Sequence, residues 1–275
     1  MDDVHTFQLR SADGTALFAR HWEATGARAT LVLVHGFGEH SGRYGPFGQH
    51  MADNGVDVFA VDLRGHGQSA GKRGVVRDYE DYRSDLRALI DHVRSRGPAR
   101  PVVLFGHSMG GGVVLDHALS PDPLFAGIVA SAPLIAPVPP VPAWQRSVVT
   151  LLSRVLPNAS MKNAIGGAQI SSVPAEQARY EAEPLGHDRL GLRTAVELVE
   201  RGEDIAARGS EIALPLLMLH ARGDQLTDFA ASEAFAATVP GAQFRAFERV
   251  EHELHNDTSR AAVYRAVLDF IKALA

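Results

Sequence analysis

The sequence predicts an α/β fold in which an eight-stranded, mostly parallel sheet is covered by helices on both faces. Short apolar runs typical of buried strands alternate with helical segments along most of the chain, as in sheets whose parallel strands are joined by helices. The apolar run at residues 102–105 passes through a glycine-rich turn directly into a helical segment. The alternation is interrupted once, at residues 136–208, which predicts an inserted helical cap.

The composition is ordinary for a globular protein and excludes several classes of function. Hydrophobic residues make up 45% of the 275 residues and charged residues 21%, values typical of a folded chain with a large core. A net charge of −5 and the lack of a basic run argue against nucleic-acid binding, so the expected partners are small molecules. The chain has no cysteine, which excludes disulfides, thiolate metal ligands and a cysteine nucleophile.

The N-terminal part of the chain predicts a hairpin followed by alternating elements. Residues 4–10 and 15–22 are strand-like and are separated by the turn signal Ala12-Asp13-Gly14, which favours an antiparallel hairpin. Buried-type strands are predicted at residues 30–35 and 56–62, and helices at residues 44–53 and 78–96. The longer helix is predicted to begin at Asp78, which would cap it, and has apolar residues at helical spacing.

The alternation continues to the C-terminus on either side of the cap. The predicted elements are a helix at 109–119, strands at 126–131, 214–220 and 243–250, and helices at 230–239 and 258–274. Within the cap, residues 148–156 and 192–201 have the spacing of amphipathic helices. The cap begins where a strand ends, on the side of an open sheet where ligands bind. We therefore expect a core of residues 1–135 and 209–275 and a cap of residues 136–208 that covers the site.

The turn at residues 106–110, GHSMG, has the pattern of a nucleophile elbow. Such a turn holds its serine in a strained backbone conformation, and it is tight enough to require small residues two positions to either side. Gly106 and Gly110 meet this requirement around Ser108. The strand before the turn and the helix after it supply the context that a five-residue pattern needs, so Ser108 is the predicted nucleophile.

A serine nucleophile requires a base, and the base requires an acid that holds its tautomer; in this type of fold they follow in the order serine, acid, histidine. Asp224 follows the strand at 214–220 directly, and its position at a strand end favours it over Asp228, one helical turn later. His252 leaves the last strand before His255 and is the preferred base. The sequence HELH lacks the HExxH spacing of a zinc protease, so no metal site is predicted.

Acyl transfer also needs amide donors directed at the developing oxyanion. One is expected from Met109, directly after the predicted nucleophile, and the other from Phe37 in the loop after the strand at 30–35. A GxGxxA pattern begins at Gly65, but a glycine-rich, basic stretch follows it in place of the helix that a dinucleotide site requires. No cofactor is therefore expected.

Five stretches of the chain carry a family resemblance. They are HGFGEHSGRY at 35–44, DLRGHGQSAG at 62–71, GHSMGG at 106–111, ARGDQLTD at 221–228 and EHELHND at 251–257. Together they resemble the monoacylglycerol lipases and the related lysophospholipase-like serine hydrolases of the α/β-hydrolase fold. Two cap stretches, VLPNAS at 155–160 and ISSVPAEQARYEAEPL at 170–185, are also similar, so the resemblance covers nearly the whole chain.

The resemblance implies site residues that agree with those assigned from the motifs. Ser108 is then the nucleophile, Asp224 the acid and His252 the base, with the Phe37 and Met109 amides as the oxyanion hole. It further implies a small polar pocket for a glycerol head group, lined by Glu39, Arg43 and His255 with Tyr180 nearby. Such a pocket, next to an apolar channel under the cap, would suit a single-chain lipid ester.

The implied activity is cofactor-free hydrolysis of monoacylglycerols to fatty acid and glycerol through an acyl-enzyme. A broader carboxylesterase or lysophospholipase is the alternative, and an acyltransferase or perhydrolase could use the same triad. A binding protein on the same fold would not need an intact triad.

Residues 1–10 contain two early acids and no apolar leader segment, so the expected location is cytoplasmic, with peripheral membrane contact through the cap left open. The oligomeric state is not predicted.

Overall fold

The structure is a computed structural model that describes residues 4–97, 99–163 and 165–274. Its strands are β1 (Val4–Arg10), β2 (Ala16–Trp22), β3 (Ala29–Val34), β4 (Val56–Val61), β5 (Val102–His107), β6 (Phe125–Ser131), β7 (Ser160–Lys162), β8 (Arg189–Gly191), β9 (Leu216–Ala221) and β10 (Gln243–Phe247). Its α-helices are α1 (Gly45–Asp53), α2 (Glu80–Ser95), α3 (Met109–Ala118), α4 (Ala143–Val155), α5 (Gly167–Ile170), α6 (Pro174–Glu181), α7 (Leu192–Ala207), α8 (Phe229–Thr238) and α9 (Arg260–Ala273). Short 3-10 turns lie at Ser41–Tyr44, Gly209–Glu211 and Leu254–Asn256.

Eight of these strands form one sheet in the order β1-β2-β4-β3-β5-β6-β9-β10. The strands from β4 to β10 in that order pair in parallel, whereas β1 and β2 form an antiparallel hairpin that joins the sheet through β4. The predicted fold class, a mostly parallel eight-stranded α/β sheet, is therefore confirmed. In a parallel sheet the carboxyl ends of the strands meet at one edge, and the predicted site residues follow those ends.

Two apolar cores lie on opposite faces of the sheet because successive side chains of a strand point to opposite sides. In β3, Leu31 packs toward α1 and α9, whereas its neighbour Val32 packs toward α2, α3 and α8. All six residues of β3 are buried, as expected for a strand that is covered by helices on both faces. Each fully buried aliphatic side chain of this kind contributes about 1.5–3 kcal/mol by leaving water.

The segment between β6 and β9 carries the elements of the predicted cap. It contains α4 to α7 and an antiparallel pair made of β7 and β8. The predicted helices at 148–156 and 192–201 correspond to α4, which begins earlier, and to α7, which ends later. Leu198 and Ile205 of α7 belong to the same buried core as α2 and α3, so the last cap helix shares an apolar face with the core. The division at residues 136 and 208 stays a prediction.

Several boundaries differ from those predicted by a few residues, and two of these differences have a local reason. The helix expected from Asp78 begins at Glu80, although the Asp78 carboxylate still accepts a hydrogen bond from the Glu80 amide at 2.8 Å. The last strand ends at Phe247 and not at residue 250, since Arg249 has a φ of 56° that no strand accommodates. Within the described ranges, the helices lack the combined length and apolar character needed to cross a bilayer.

Replacing Gly110 with alanine tests the close packing of α3 against the end of β3. A Cβ atom at Gly110 would overlap the carbonyl oxygens of Val34 and His35, so Gly110→Ala is expected to lower the free energy of unfolding by about 1–3 kcal/mol or more. Gly45→Ala is the matched control because a Cβ there meets no atom within 4 Å. Equal denaturant midpoints for Gly110→Ala and wild type would contradict the packing described.

Candidate active site

Ser108 lies at a strained turn between β5 and α3. Its φ and ψ are 53° and −119°, a region that side chains with a Cβ rarely occupy. The backbone of Ser108 is anchored on both sides: its amide donates to the Ser131 carbonyl at 2.9 Å, and its carbonyl accepts from the Gly112 and Leu134 amides at 3.1 and 2.9 Å. A Cβ at Gly106 would overlap the Gly110 carbonyl oxygen, so the glycines permit the turn. Ser108 lines the apolar cavity described below.

Asp224 is fixed by the turn that follows β9. One carboxylate oxygen accepts from the Leu226 and Thr227 amides at 2.8 and 3.1 Å, and the other accepts from the Thr227 hydroxyl at 3.0 Å. The carboxylate is fully buried, and His220 lies 3.2 Å from it. These contacts hold the side chain in one orientation, toward His252.

His252 donates its Nδ1 proton to the Asp224 carboxylate at 2.7 Å. Since an ionised carboxylate only accepts hydrogen bonds, this contact leaves the other ring nitrogen, Nε2, as the acceptor in a neutral imidazole. Burial opposes protonation of His252, but the Asp224 carboxylate outweighs it and raises the His252 pKa. Burial opposes ionisation of Asp224, yet the nearby His252 and His220 lower the Asp224 pKa well below its usual range. His252 and Ser108 line the same cavity.

The two alternative residues lie elsewhere. Asp228 caps the N-terminus of α8, where its carboxylate accepts from the Ala231 amide at 2.9 Å. His255 is fully buried behind the site, stacked on Tyr44 with 4.6 Å between ring centroids. His255 does not line either of the cavities described below. Contrary to expectation, it therefore does not form part of the wall of the polar pocket but lies behind that wall.

The loop after β3 brings a backbone amide to the cavity beside Ser108. Gly36 and Phe37 line the cavity, and His35 fixes the loop from below. The His35 Nε2 accepts from the Leu63 amide at 3.0 Å, so its Nδ1 carries the proton and donates to the Gly36 carbonyl at 2.7 Å. Met109 is the first residue of α3, and the amides of a first helical turn have no partner within the helix. Phe37 therefore borders the cavity that Ser108 lines, and Met109 directly follows Ser108; their role as oxyanion donors stays a prediction.

An apolar cavity of about 240 Å³ extends from Ser108 beneath the cap. Its walls combine core and cap residues, and most are aliphatic. The apolar side chains are Leu134, Ile135, Val138, Val141, Ile165, Ile170, Leu190, Leu198, Val199 and Leu226. An alkyl chain bound in such a cavity leaves water. Each buried methylene group then stabilises the bound state by about 0.8 kcal/mol.

A polar cavity of about 260 Å³ adjoins the apolar one. The two share Phe37, Glu39 and Tyr180 in their walls, together with Asn163 and Ile165. Arg43 lies in the polar cavity, with its guanidinium 5.1 Å from the centre of the Tyr180 ring. The structure therefore brings three of the four predicted head-group residues together at the junction with the apolar cavity.

Glu253 is a member of this cluster that the motifs did not single out. Its carboxylate lies 2.6 Å from Arg43, and the Glu39 carboxylate lies 3.3 Å from the Arg43 Nε. Burial and the nearby Glu253 carboxylate raise the Glu39 pKa to about 7, although Arg43 acts in the opposite direction. The HELH sequence contains Glu253, but only its distance from Arg43 in the folded chain reveals the pairing.

Metal binding finds no support in the described geometry. Across residues 4–97, 99–163 and 165–274, no three histidine, aspartate or glutamate side chains are grouped as metal ligands. Ser108 and His252 instead line one cavity, and His252 contacts the Asp224 carboxylate. That arrangement is suited to nucleophilic acyl transfer.

Known proteins are similar to this chain in both sequence and fold. The model of the family described as serine aminopeptidase, S33, matches residues 25–259. The chain belongs to this family. Two relatives and one solved structure illustrate the similarity.

A monoacylglycerol lipase of Mycolicibacterium smegmatis is 30% identical over 250 residues, which cover 90% of this chain and 89% of the relative. An uncharacterized abhydrolase domain-containing protein of Dictyostelium discoideum is 31% identical over 96% of this chain, which spans only 28% of that longer protein. The crystal structure of a Paleococcus ferrophilus monoacylglycerol lipase has a TM-score of 0.86 at 29% identity and covers 94% of this chain and 99% of its own. The family and these proteins confirm the resemblance and the expected enzyme class, a carboxylic ester hydrolase.

The Asp224 contact predicts how His252 titrates. Because the carboxylate raises the His252 pKa, replacing it with a neutral group in Asp224→Asn is expected to lower that pKa, since burial alone disfavours the imidazolium. NMR titration of the His252 ring resonances measures the shift. Asp228→Asn, one helical turn away, should leave the His252 titration unchanged. An unshifted titration in Asp224→Asn, or a shift in Asp228→Asn, would contradict the pairing.

Proposed function

We propose that this enzyme hydrolyses the ester bond of monoacylglycerols and releases a fatty acid and glycerol. The observation that supports this proposal most is the position of Ser108 and His252 beside two joined cavities of opposite character. The apolar cavity fits one acyl chain, and the polar cavity fits a small hydroxylated head group. The activity in the name of the Mycolicibacterium relative agrees with this substrate class.

The proposed reaction begins with Ser108. Its hydroxyl oxygen attacks the ester carbonyl while Nε2 of His252 accepts the hydroxyl proton, and Asp224 stabilises the resulting imidazolium. The Phe37 and Met109 amides donate to the oxyanion. The tetrahedral intermediate then expels glycerol, which receives the proton from His252. Water, deprotonated by the same histidine, attacks the acyl-enzyme, and the fatty acid leaves with Ser108 restored.

The head group is proposed to bind between Arg43, Glu39 and Tyr180. Arg43 Nη1 is buried and has no hydrogen-bond partner among the described residues, so it offers a donor to a substrate hydroxyl. A glycerol hydroxyl both donates and accepts, which matches a site that presents a guanidinium and a carboxylate side by side. Glu39 Oε1 already accepts from the Gly36 amide and the Tyr44 hydroxyl, so Glu39 joins the head-group pocket to the oxyanion loop.

The charges around the polar cavity favour a neutral head group over a phosphorylated one. Besides Glu39, the lining contains Glu181, Glu183 and Asp188, while Arg43 is already paired with two carboxylates. A phosphate would add negative charge to a site that has an excess of it. This disfavours the lysophospholipase alternative for anionic substrates. A carboxylesterase that accepts many esters is the remaining alternative.

A substrate panel tests this proposal. Wild type should hydrolyse 1-monooleoylglycerol faster than trioleoylglycerol or an anionic lysophospholipid, and Ser108→Ala should abolish turnover of all three. Glu181→Gln should raise relative activity on the anionic lysophospholipid by up to about fivefold, because one unit charge at about 4 Å in water is worth about 1 kcal/mol.

The control for the charge effect is Asp269→Asn on α9, an exposed acid outside the cavity lining. It removes the same charge at a distance and should leave the ratio of the two rates unchanged. Comparable rates on triacylglycerol and monoacylglycerol would contradict the monoacyl proposal. Turnover that survives in Ser108→Ala would contradict the assigned nucleophile.

We further propose that the cap contacts lipid surfaces through α4. Large hydrophobic side chains are exposed along one face of this helix, with Trp144 72%, Leu151 63% and Val155 71% exposed. Val148 and Leu152 continue the same helical spacing. An apolar face of this size on a surface helix is typical of a helix that lies in a membrane interface. Val141, at the start of the face, also lines the apolar cavity, so a lipid could enter from that side.

Vesicle binding tests the contact. Trp144→Ser combined with Leu151→Ser should weaken binding to phosphatidylcholine vesicles by about tenfold or more, since each buried apolar side chain contributes about 1.5–3 kcal/mol. Hydrolysis of a short, water-soluble ester should be unaffected. Gln145→Ser, an exposed residue of the same helix, is the matched control. Unchanged vesicle binding in the double variant would contradict the proposal.

A further inference from the structure

The loop that carries the Phe37 amide is held from above by one cap residue, His187. We call residues 36–38 the oxyanion loop. The His187 amide donates to the Gly38 carbonyl at 2.9 Å, the carbonyl next in the chain after Phe37. His187 lies just before β8, in the segment that separates α6 from α7, so the contact joins the cap to the core.

The side chain of Phe37 packs against two imidazole rings that also contact each other. His66 from the core and His187 from the cap each meet the Phe37 ring in a perpendicular arrangement, at centroid distances of 5.3 and 5.5 Å and angles of 82° and 84°. The two imidazoles are themselves 4.7 Å apart. Edge-to-face contacts of this kind are worth about 0.5–1.5 kcal/mol each beyond the area they bury. Together with the backbone contact of His187 to Gly38, these ring contacts hold Phe37 against the cap segment.

Both imidazoles are neutral at neutral pH. Burial lowers the His66 pKa well below its usual value, and the nearby His35 and His187 lower it further. Burial, with the Arg73 guanidinium, lowers the His187 pKa to about 4. Neutral rings pack against Phe37 without the cost of burying a charge. This pair serves as an aromatic support and not as an acid or base.

Glycines allow the cap segment to approach this closely. Gly38 has a φ of 77°, and a Cβ there would lie 2.7 Å from the His187 carbonyl oxygen. At Gly74, in the loop beneath β8, a Cβ would overlap the Arg189 carbonyl oxygen. The Gly191 amide also donates to the Gly74 carbonyl at 2.9 Å. The segment of residues 187–191 is thus fitted against two core loops at backbone distance.

We propose that His187 is a positioning residue that sets the oxyanion hole through Phe37, so that the cap helps to assemble the catalytic site as well as to cover it. This inference rests on the proposed function, because it requires the Phe37 amide to stabilise an oxyanion on a substrate of Ser108. The contribution of an oxyanion donor depends on its exact aim, and a misplacement of about 1 Å can cost about 100-fold in rate. Loss of the His187 contacts should therefore reduce kcat more than it changes KM.

The experiment compares His187→Ala, His187→Phe and the matched control Arg189→Ala. Arg189 lies two residues further along the same segment, with an exposed side chain that lines neither cavity. The substrate is a short-chain aryl ester, which does not fill the polar cavity. Active-site titration with a fluorophosphonate and the melting temperature report the folded fraction. A long-chain trifluoromethyl ketone probes the oxyanion hole, since its hemiketal with serine carries an oxyanion, whereas a long-chain alcohol, which carries no anionic oxygen, probes the acyl cavity.

His187→Ala is expected to lower kcat by about tenfold or more with little change in KM. It should also weaken binding of the trifluoromethyl ketone by a similar factor. Inhibition by the long-chain alcohol should stay as in wild type. His187→Phe retains an aromatic edge against Phe37 and should restore most of the kcat, and Arg189→Ala should behave as wild type.

Two outcomes would overturn the inference in distinguishable ways. A wild-type kcat and ketone affinity in correctly titrated His187→Ala would remove the role of His187 while leaving the proposed function intact. Equal losses of affinity for the ketone and for the long-chain alcohol, without rescue by His187→Phe, would show a general structural role. Aryl-ester turnover that persists in Ser108→Ala would instead refute the proposed function on which the inference rests.

Discussion

The site depends on one backbone constraint, the turn that holds Ser108 at a φ of 53° between β5 and α3. This conformation is costly for a residue with a side chain, and it persists because backbone hydrogen bonds from β6 and α3 hold both sides of the residue. The close approach of β3, β5 and α3 leaves no room for a Cβ at Gly106 or Gly110. The turn places Ser108 at the carboxyl end of β5, on the edge of the sheet where the other site residues also lie.

The remaining chemistry follows from loops at the same edge. Asp224 follows β9 and His252 follows β10, so two adjacent parallel strands bring the acid and the imidazole within 2.7 Å. The loop after β3 brings Phe37 to the wall of the cavity that Ser108 lines. Across this edge the cap adds what the core lacks: apolar walls for a chain and a second side to the polar cavity. Residues of the core and of the cap segment therefore line both cavities together.

The sequence predicts most of what local chemistry determines. The glycine spacing around Ser108, the strand-end position of Asp224 and the apolar periodicity of the main helices are signals within a few residues. The short strands β7 and β8 have three residues each, too few for a periodic pattern. The motifs also do not reveal the buried pairing of Arg43 with Glu253 or the contact of His187 with the oxyanion loop. These contacts join residues that are 210 and about 150 positions apart, so they exist only in the folded chain.

The same distinction explains the displaced position of His255. Its place in the EHELHND motif suggests a pocket wall, yet the 3-10 turn at Leu254–Asn256 directs it against Tyr44, beneath the Glu39 and Arg43 pair. The motif identifies His255, but the conformation of the 3-10 turn determines whether its side chain faces the polar cavity.

The central claim is that Ser108 carries the acyl group from a monoacylglycerol during turnover. Rapid-quench peptide mass spectrometry with 1-monooleoylglycerol measures this directly. A transient oleoyl ester is expected on Ser108 alone, and it should accumulate before steady state when deacylation is slowed. Acyl transfer to another residue, or glycerol release with no acylated protein at any time, would contradict it.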